Sequence, residues 1–222
     1  MNVTNMNKKL PLEYVLREPQ MRMKRPPVIF MLHGYGSNEE DLFSFAEALP
    51  PEYMIISFRA PYHLATFGYA WYMINFDATQ ENWSDNEQAI ASRDLIMQSI
   101  EEACRVYDLD NKNVTLLGFS QGSILSIAIA LSYPRKIRNV IALSGYVNKE
   151  ILREGYQREN HSVTRFYVSH GSSDQVVPVE WARQVPQVLK ELNVKYKYEE
   201  FPGGHGVTPQ NFYSFRDWLM KQ

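Results

Sequence analysis

The chain of 222 residues has one cysteine, Cys104, and no long apolar run. A single cysteine cannot form an intrachain disulfide or a cysteine-based metal site. The apolar runs are short, as at Val28 to Leu32, whereas a helix that spans a membrane needs about 20 apolar residues. The sequence therefore predicts no transmembrane segment.

Charge of one sign is not in excess either. The 23 Lys and Arg residues face 25 Asp and Glu residues, for a net charge of -2. A nucleic-acid-binding domain is usually strongly basic, so nucleic acid is not expected as a partner. Lys8 and Lys9 precede no apolar segment of the kind found in secretory signals. We therefore expect a cytoplasmic protein, with its oligomeric state open and a homodimer among the options.

Short apolar runs alternate with longer amphipathic segments, a pattern typical of βα units around a parallel sheet. At about 150 residues per domain, the length predicts one domain over residues 1–222. Its N-terminal arm, 1–27, is expected to add an antiparallel edge strand at Leu12–Arg17. The other expected strands are Val28–Leu32, Met54–Phe58, Val114–Leu117, Val140–Leu143, Arg165–Ser169 and Lys195–Glu200, and the expected helices run at about Asn38–Leu49, Asn86–Tyr107, Gln121–Ser132, Glu180–Leu192 and Pro209–Met220.

The most specific motif is Gly118-Phe119-Ser120-Gln121-Gly122, a G-x-S-x-G between an expected strand and an expected helix. Such a turn exposes the serine hydroxyl above the sheet on a strained backbone, and the glycines leave room for close chain contacts. The alternative is that a serine between glycines marks an ordinary turn. The strand before it and the helix after it favour a nucleophile at Ser120.

A serine nucleophile needs a base, and in the α/β-hydrolase fold the chain order is Ser, then Asp or Glu, then His. His205 lies in the glycine-rich loop after the last expected strand, and Asp174 follows the strand before that. We expect His205 as the base and Asp174 as the residue that holds its tautomer. His170 is expected to be structural, with a fallback role as the base.

Acyl transfer also requires donors for the oxyanion of the tetrahedral intermediate. The backbone N–H of Gln121, directly after the nucleophile, is one expected donor. The other is the N–H of Tyr35, in the glycine-containing loop after the first expected parallel strand. His33 in that loop is expected to be a hydrogen-bonding scaffold rather than a metal ligand.

The irregular segment 61–84 is rich in aromatic residues and is expected to form a wall over the nucleophile. An apolar substrate pocket and simple packing of the segment are both compatible with this composition. The expected substrate contacts are Phe67, Trp71, Tyr72 and Met73, with Tyr69 and Phe76 as further members of the wall.

Together these motifs resemble the phospholipase/carboxylesterase family of α/β-hydrolases, which includes the acyl-protein thioesterases. The points of likeness are LHGYG, RAP, AWY, GFSQGS, GSSDQVVP and GGH, spread from about residue 28 to the C-terminus. The resemblance implies a mostly parallel sheet flanked by helices without a separate cap domain. It also implies a hydrolase of small-molecule esters or thioesters that needs no cofactor or metal. The family usually has glycine where this chain has Ser123. It also usually reads AWFD, whereas Met73 and Ile74 follow Trp71-Tyr72 here, with no acid directly after the aromatic residue.

The leading functional hypothesis is a carboxylesterase that forms an acyl-enzyme on Ser120. An acyl thioesterase or a lysophospholipase for longer acyl chains is the alternative within the same chemistry. From another class, the chain could be a ligand-binding protein on a hydrolase fold, because a fold alone does not determine function.

Overall fold

The computed structural model describes residues 9–75 and 83–222. Its strands are β1 (Tyr14–Arg17), β2 (Val28–Leu32), β3 (Met54–Phe58), β4 (Tyr62–His63), β5 (Tyr69–Ala70), β6 (Val114–Phe119), β7 (Asn139–Leu143), β8 (Arg165–Gly171) and β9 (Lys195–Phe201). Seven of them form one sheet in the order β1-β3-β2-β6-β7-β8-β9, and β4 pairs with β5 in a separate hairpin. In the large sheet β1 runs antiparallel to β3, and the other neighbouring strands are parallel. The predicted α/β architecture and the antiparallel edge strand are confirmed.

The α-helices are α1 (Asn86–Val106), α2 (Gln121–Ser132), α3 (Val179–Ala182), α4 (Val185–Glu191) and α5 (Pro209–Leu219). Two predicted helices were wrong in their extent. The segment expected as one helix over Glu180–Leu192 is split, because Pro186 near the start of α4 lacks an N–H and its ring would clash with the carbonyl four residues earlier. The segment expected at Asn38–Leu49 is a 3-10 helix at Leu42–Ala48.

A local hydrogen bond accounts for the late start of that 3-10 helix. The side-chain oxygen of Asn38 accepts the amide of Glu40 at 2.8 Å, which holds the preceding residues in a turn. Prolines 50 and 51 follow soon after its end.

The sheet separates two hydrophobic clusters, one on each face. In β2, Val28, Phe30 and Leu32 belong to one cluster, while Ile29 and Met31 belong to the other. A strand covered on both faces needs apolar residues at every position, which explains its continuous apolar run. Residues of α1, α2 and α4 pack on the first face, and residues of α5 and the 3-10 helix pack on the second.

The chain changes direction across the sheet at β2. From β2 it passes to β3 on one side and later to β6 on the other side. In an open α/β sheet, such a switch point leaves a crevice at the carboxyl ends of the strands, where ligands bind. The residues after β2 and β6 therefore lie side by side at this crevice, with Leu32 opposite Gly118 in the register.

Candidate active site

Ser120 occupies a strained turn between β6 and α2. Its φ of 52° and ψ of -117° lie outside the helical and extended regions. A non-glycine residue is held in such a conformation only when its surroundings fix it, and such residues concentrate at functional sites. The Ser120 amide donates to the carbonyl of Leu143 at the end of β7, 2.9 Å away, which anchors the turn to the neighbouring strand.

The two glycines of the motif are required by close backbone contacts. A Cβ at Gly118 would overlap the carbonyl of Gly122, and a Cβ at Gly122 would overlap the carbonyl of Leu32. The start of α2 therefore rests directly on the end of β2. This confirms the expectation that the glycines leave room for the chain on both sides of Ser120.

The structure brings the three predicted triad residues together. His205 Nε2 lies 2.9 Å from Ser120 Oγ, and His205 Nδ1 lies 2.7 Å from Asp174 Oδ2. Because the carboxylate can only accept, Nδ1 carries the proton and Nε2 accepts from the serine hydroxyl. The Phe119 ring, with its centroid 4.9 Å from that of His205, packs beside the imidazole. Ser120 is 8% exposed.

Asp174 is buried and has donors on both carboxylate oxygens. Oδ1 accepts the amides of Val176 and Val177 at 2.9 and 3.0 Å. Oδ2 faces His205 and also lies 3.2 Å from His170 Nε2. Burial raises the pKa of Asp174, but the donors on its oxygens, led by His170 and His205, outweigh that effect and lower the pKa below its usual value. Asp174 is therefore a carboxylate at neutral pH, as an acceptor for His205 must be.

The predicted oxyanion loop lies against the nucleophile. A Cβ built on Gly34 would lie 3.4 Å from the Cβ of Ser120, so the loop that carries Tyr35 passes directly beside it. Gly36 follows Tyr35 in the chain, and its amide donates to the carbonyl of Tyr69 at 2.9 Å. This hydrogen bond connects the loop to the β4–β5 hairpin. Gln121 is the first residue of α2, and the N–H groups of a first helical turn have no acceptor within the helix.

His33 connects this loop to the end of β3. Its Nδ1 lies 2.7 Å from the carbonyl of Gly34, and its Nε2 accepts the amide of Ala60 at 3.1 Å. These partners require a proton on Nδ1 and none on Nε2, so the ring is neutral here. Burial is the main reason that the pKa of His33 is lowered. His33 therefore has a scaffold position, as the sequence indicated.

Trp71 and the side chain of Gln121 form a buried brace that sequence reasoning missed. The Gln121 amide group accepts from the Trp71 amide and donates to the Tyr72 carbonyl, both at 2.7 Å. Trp71 Nε1 donates to the carbonyl of His33 at 2.9 Å, and Ser92 of α1 donates to the carbonyl of Trp71. Trp71 thus joins the elbow, the oxyanion loop and α1. No signal in a single sequence separates such a brace from a substrate contact.

The four predicted substrate contacts divide into two pairs. Trp71 and Tyr72 are 0% exposed, so they offer a ligand no surface in this conformation. Phe67 and Met73 are 68% and 37% exposed. The Phe67 ring covers Gly36 of the oxyanion loop, where a Cβ would lie 3.0 Å from its edge. Phe76, also expected in this wall, lies outside the described residues, and Tyr69 is half-buried in β5.

A model of the phospholipase/carboxylesterase family matches residues 18–222. The chain belongs to this family. A probable carboxylesterase of Oryza sativa subsp. japonica is 24% identical over 213 residues, which cover 86% of this chain and 76% of the relative. Acyl-protein thioesterase 1 of Emericella nidulans is 26% identical over 200 residues, 79% of this chain and 83% of that one. The chain is thus a hydrolase of the carboxylesterase family, as predicted.

A solved structure of the Bacillus cereus carboxylesterase shares the fold. It superposes with a TM-score of 0.81 over 95% of this chain and 94% of that chain, at 21% identity. At this identity the superposition supports the fold, not a shared substrate.

In this member of the family, Ser123 is accommodated without a hydrogen bond. Its hydroxyl is buried, has no partner among the described residues and lies against Gly145, where a Cβ would overlap it. Cys104 is not positioned as a nucleophile: it packs against the core, and burial raises the pKa of its thiol to about 12. In the described ranges no helix is long and apolar enough to cross a membrane.

Proposed function

We propose that this protein hydrolyses carboxylic esters through an acyl-enzyme on Ser120. The observation that carries the proposal is the continuous pair of contacts from Ser120 Oγ through His205 to Asp174, at 2.9 and 2.7 Å. These distances are short enough for proton transfer from the hydroxyl to the imidazole. Family membership supports the same reaction class.

In the first step, Ser120 Oγ attacks the ester carbonyl carbon while His205 Nε2 takes the hydroxyl proton. The resulting imidazolium is stabilised by the Asp174 carboxylate, which does not take the proton. The backbone N–H groups of Tyr35 and Gln121 stabilise the oxyanion. Collapse of the intermediate breaks the carbon–oxygen bond, and His205 returns its proton to the departing alcohol.

In the second step, water attacks the acyl carbon of the ester formed on Ser120, and His205 accepts a proton from that water. Collapse of the second intermediate releases the carboxylic acid, and the proton on His205 returns to Ser120 Oγ. The first step leaves the acyl group on Ser120 and the second step restores the free serine, so the two steps together consume one ester and one water.

Phe67 and Met73 are the residues that we propose as substrate contacts, since both are exposed and the Phe67 ring covers Gly36 of the oxyanion loop. An open apolar surface here would suit a longer acyl chain, and one similar protein is named acyl-protein thioesterase 1. Thioesters and long-chain lysophospholipids are therefore the second candidate substrates. A cytoplasmic location and a homodimer stay predictions.

The test is labelling with a fluorophosphonate, followed by hydrolysis of p-nitrophenyl esters from acetate to palmitate. We expect one label per chain, lost in Ser120→Ala and kept in Ser123→Ala, which removes a buried hydroxyl three residues away. Folded parent protein that takes no label would contradict the proposal. Preference for short esters would indicate a carboxylesterase, whereas rates that hold at long chains would favour the thioesterase or lysophospholipase candidate.

A further inference from the structure

His170 is a buried histidine that the proposed reaction does not use. It lies near the end of β8, and its side chain is 0% exposed. Its Nε2 lies 2.8 Å from the carbonyl of Val177 and 3.2 Å from Asp174 Oδ2. A carbonyl oxygen can only accept, so Nε2 carries a proton and the ring faces Asp174 with its positive N–H edge.

The two histidines meet at the same carboxylate oxygen. His205 Nδ1 approaches Asp174 Oδ2 at 2.7 Å, and His170 Nε2 approaches it from a second direction. The other oxygen, Oδ1, is occupied by the amides of Val176 and Val177. The negative charge of Asp174 is therefore shared among four N–H groups, and His205 is one of them.

The remaining Nδ1 of His170 is buried without a partner among the described residues. An unpaired buried nitrogen costs free energy, and an apolar side chain of similar size would avoid that cost. A histidine used for packing alone gains nothing from this arrangement. The arrangement is explained if the Nε2–H is needed at Asp174 and Val177.

Charged groups approach this ring from the turn after β8 and from β9. Asp174 lies in the turn that follows β8, and His205 contacts the carboxylate of Asp174. Glu200 of β9 is opposite His170 in the strand register, and Arg183 at the end of α3 holds Glu200 with two contacts of 2.8 Å. Glu200 is thus paired with Arg183, and Asp174 is the anion in direct contact with the His170 Nε2–H, at 3.2 Å.

We propose that His170 is a positioning residue that holds the Asp174 turn and limits how strongly Asp174 stabilises the protonated form of His205. This rests on the proposed function of the triad. Through the Val177 carbonyl, the Nε2–H fixes the turn whose amides hold Oδ1. Through Oδ2, it withdraws part of the negative charge that His205 meets. A carboxylate that loses one donor binds its remaining donors more strongly.

The decisive variants are His170→Met, which removes the N–H, and His170→Gln, which can keep an N–H near the same place. In His170→Met we expect the acidic limb of kcat/KM to move to higher pH by about half a unit to one unit, because Asp174 then holds the His205 imidazolium more tightly. His170→Gln is expected to restore the limb of the parent. An acidic limb in His170→Met at the parent's pH, or below it, overturns the proposal.

His161 provides a matched control. Its Nε2 also bonds a carbonyl, that of Tyr156 at 2.8 Å, and its Nδ1 is likewise buried without a described partner. It lies before β8, at the opposite end of that strand from Asp174. His161→Met therefore removes the same type of contact away from the triad and should leave the acidic limb unmoved. An equal shift in this variant would show that the effect is general and would overturn the proposal.

Nitrogen-15 NMR of histidine-labelled parent protein needs neither activity nor a folded His170→Met variant. At about pH 8 we expect the His170 proton on Nε2, and a proton on Nδ1 instead would overturn the proposal. The same spectra follow the titration of His205 in the parent and in His170→Gln, where we expect coincident curves. Because these readouts do not depend on esterase turnover, failure of the Ser120 labelling and failure of this proposal are distinguishable.

Discussion

Removal of the His33 side chain should destabilise the fold and the oxyanion loop together. In His33→Ala the Ala60 amide loses its acceptor at 3.1 Å, and the Gly34 carbonyl loses a donor at 2.7 Å. The two losses differ in kind, because the Gly34 carbonyl also accepts the Ser37 amide at 3.3 Å. The Ala60 N–H is thus the group left unsatisfied.

The magnitude follows from these contacts. An unsatisfied buried N–H costs about 1 to 3 kcal/mol, and the lost bond to Gly34 adds about 1 kcal/mol. We therefore expect His33→Ala to lower the free energy of unfolding by about 2 to 4 kcal/mol near neutral pH. Since loss of one oxyanion donor typically costs about 10²–10³ in turnover, partial misplacement of Tyr35 should lower kcat by at least roughly 10-fold.

The pH dependence provides a second check with a definite sign. Burial lowers the pKa of His33 in the folded state, so the folded protein favours the neutral ring. The resulting stabilisation is fully present above the unfolded-state pKa of about 6.5 and is lost as the pH falls through the lower folded-state pKa. The stability difference between parent and His33→Ala should shrink as the pH falls from about 7.5 to about 5.5.

Urea unfolding of both proteins at several pH values measures these quantities directly. A stability difference below about 1 kcal/mol at neutral pH would refute the assignment of the Ala60 and Gly34 contacts. So would a difference that does not change with pH.

Two further substitutions test the backbone contacts and the buried brace. Gly122→Ala places a Cβ on the Leu32 carbonyl and should lower the Tm measured by circular dichroism sharply. Gly206→Ala is the control, because a Cβ there meets open space and should leave Tm unchanged. Equal Tm values for the two variants would contradict the contact. Trp71→Phe keeps a ring but loses the N–H bond to His33, so kcat should fall with a loss of about 1 kcal/mol in stability. Trp218→Phe in α5 is its control, and an unchanged kcat in Trp71→Phe would contradict a role of the Trp71 N–H bond in holding the oxyanion loop.

The parts of the site that sequence could predict are those fixed by local chain geometry. Ser120 lies in a motif whose glycines are required by close backbone contacts. The apolar pattern of the sequence predicts the strand before it and the helix after it. Asp174 and His205 were predictable because parallel strands all end at one edge, so chain order limits which loops can meet. The proximity of these three side chains follows from topology.

Other features depend on contacts between residues far apart in the chain. The aromatic residues of 61–84 have no periodicity that assigns each ring to core or surface, so Trp71 and Phe67 look alike in the sequence and differ completely in exposure. For Gln121, the motif predicts the position of the backbone N–H beside the nucleophile. It does not predict the side-chain hydrogen bonds to Trp71 and Tyr72. The break in the predicted helix, by contrast, has a signal in the sequence, because Pro186 disfavours a continuous helix through this position.

The site is built in two halves, each fixed by backbone contacts. On one side, α2 rests on the carbonyl of Leu32, so the separation of nucleophile and oxyanion loop does not depend on long side chains. On the other side, the Ser173 amide donates to the carbonyl of Gly203 at 2.9 Å, which ties the Asp174 turn to the His205 loop. The halves meet at the contact between His205 Nε2 and Ser120 Oγ. Since each half is held by its own backbone bonds, changes at Asp174 or His170 should alter the basicity of His205 without displacing Ser120.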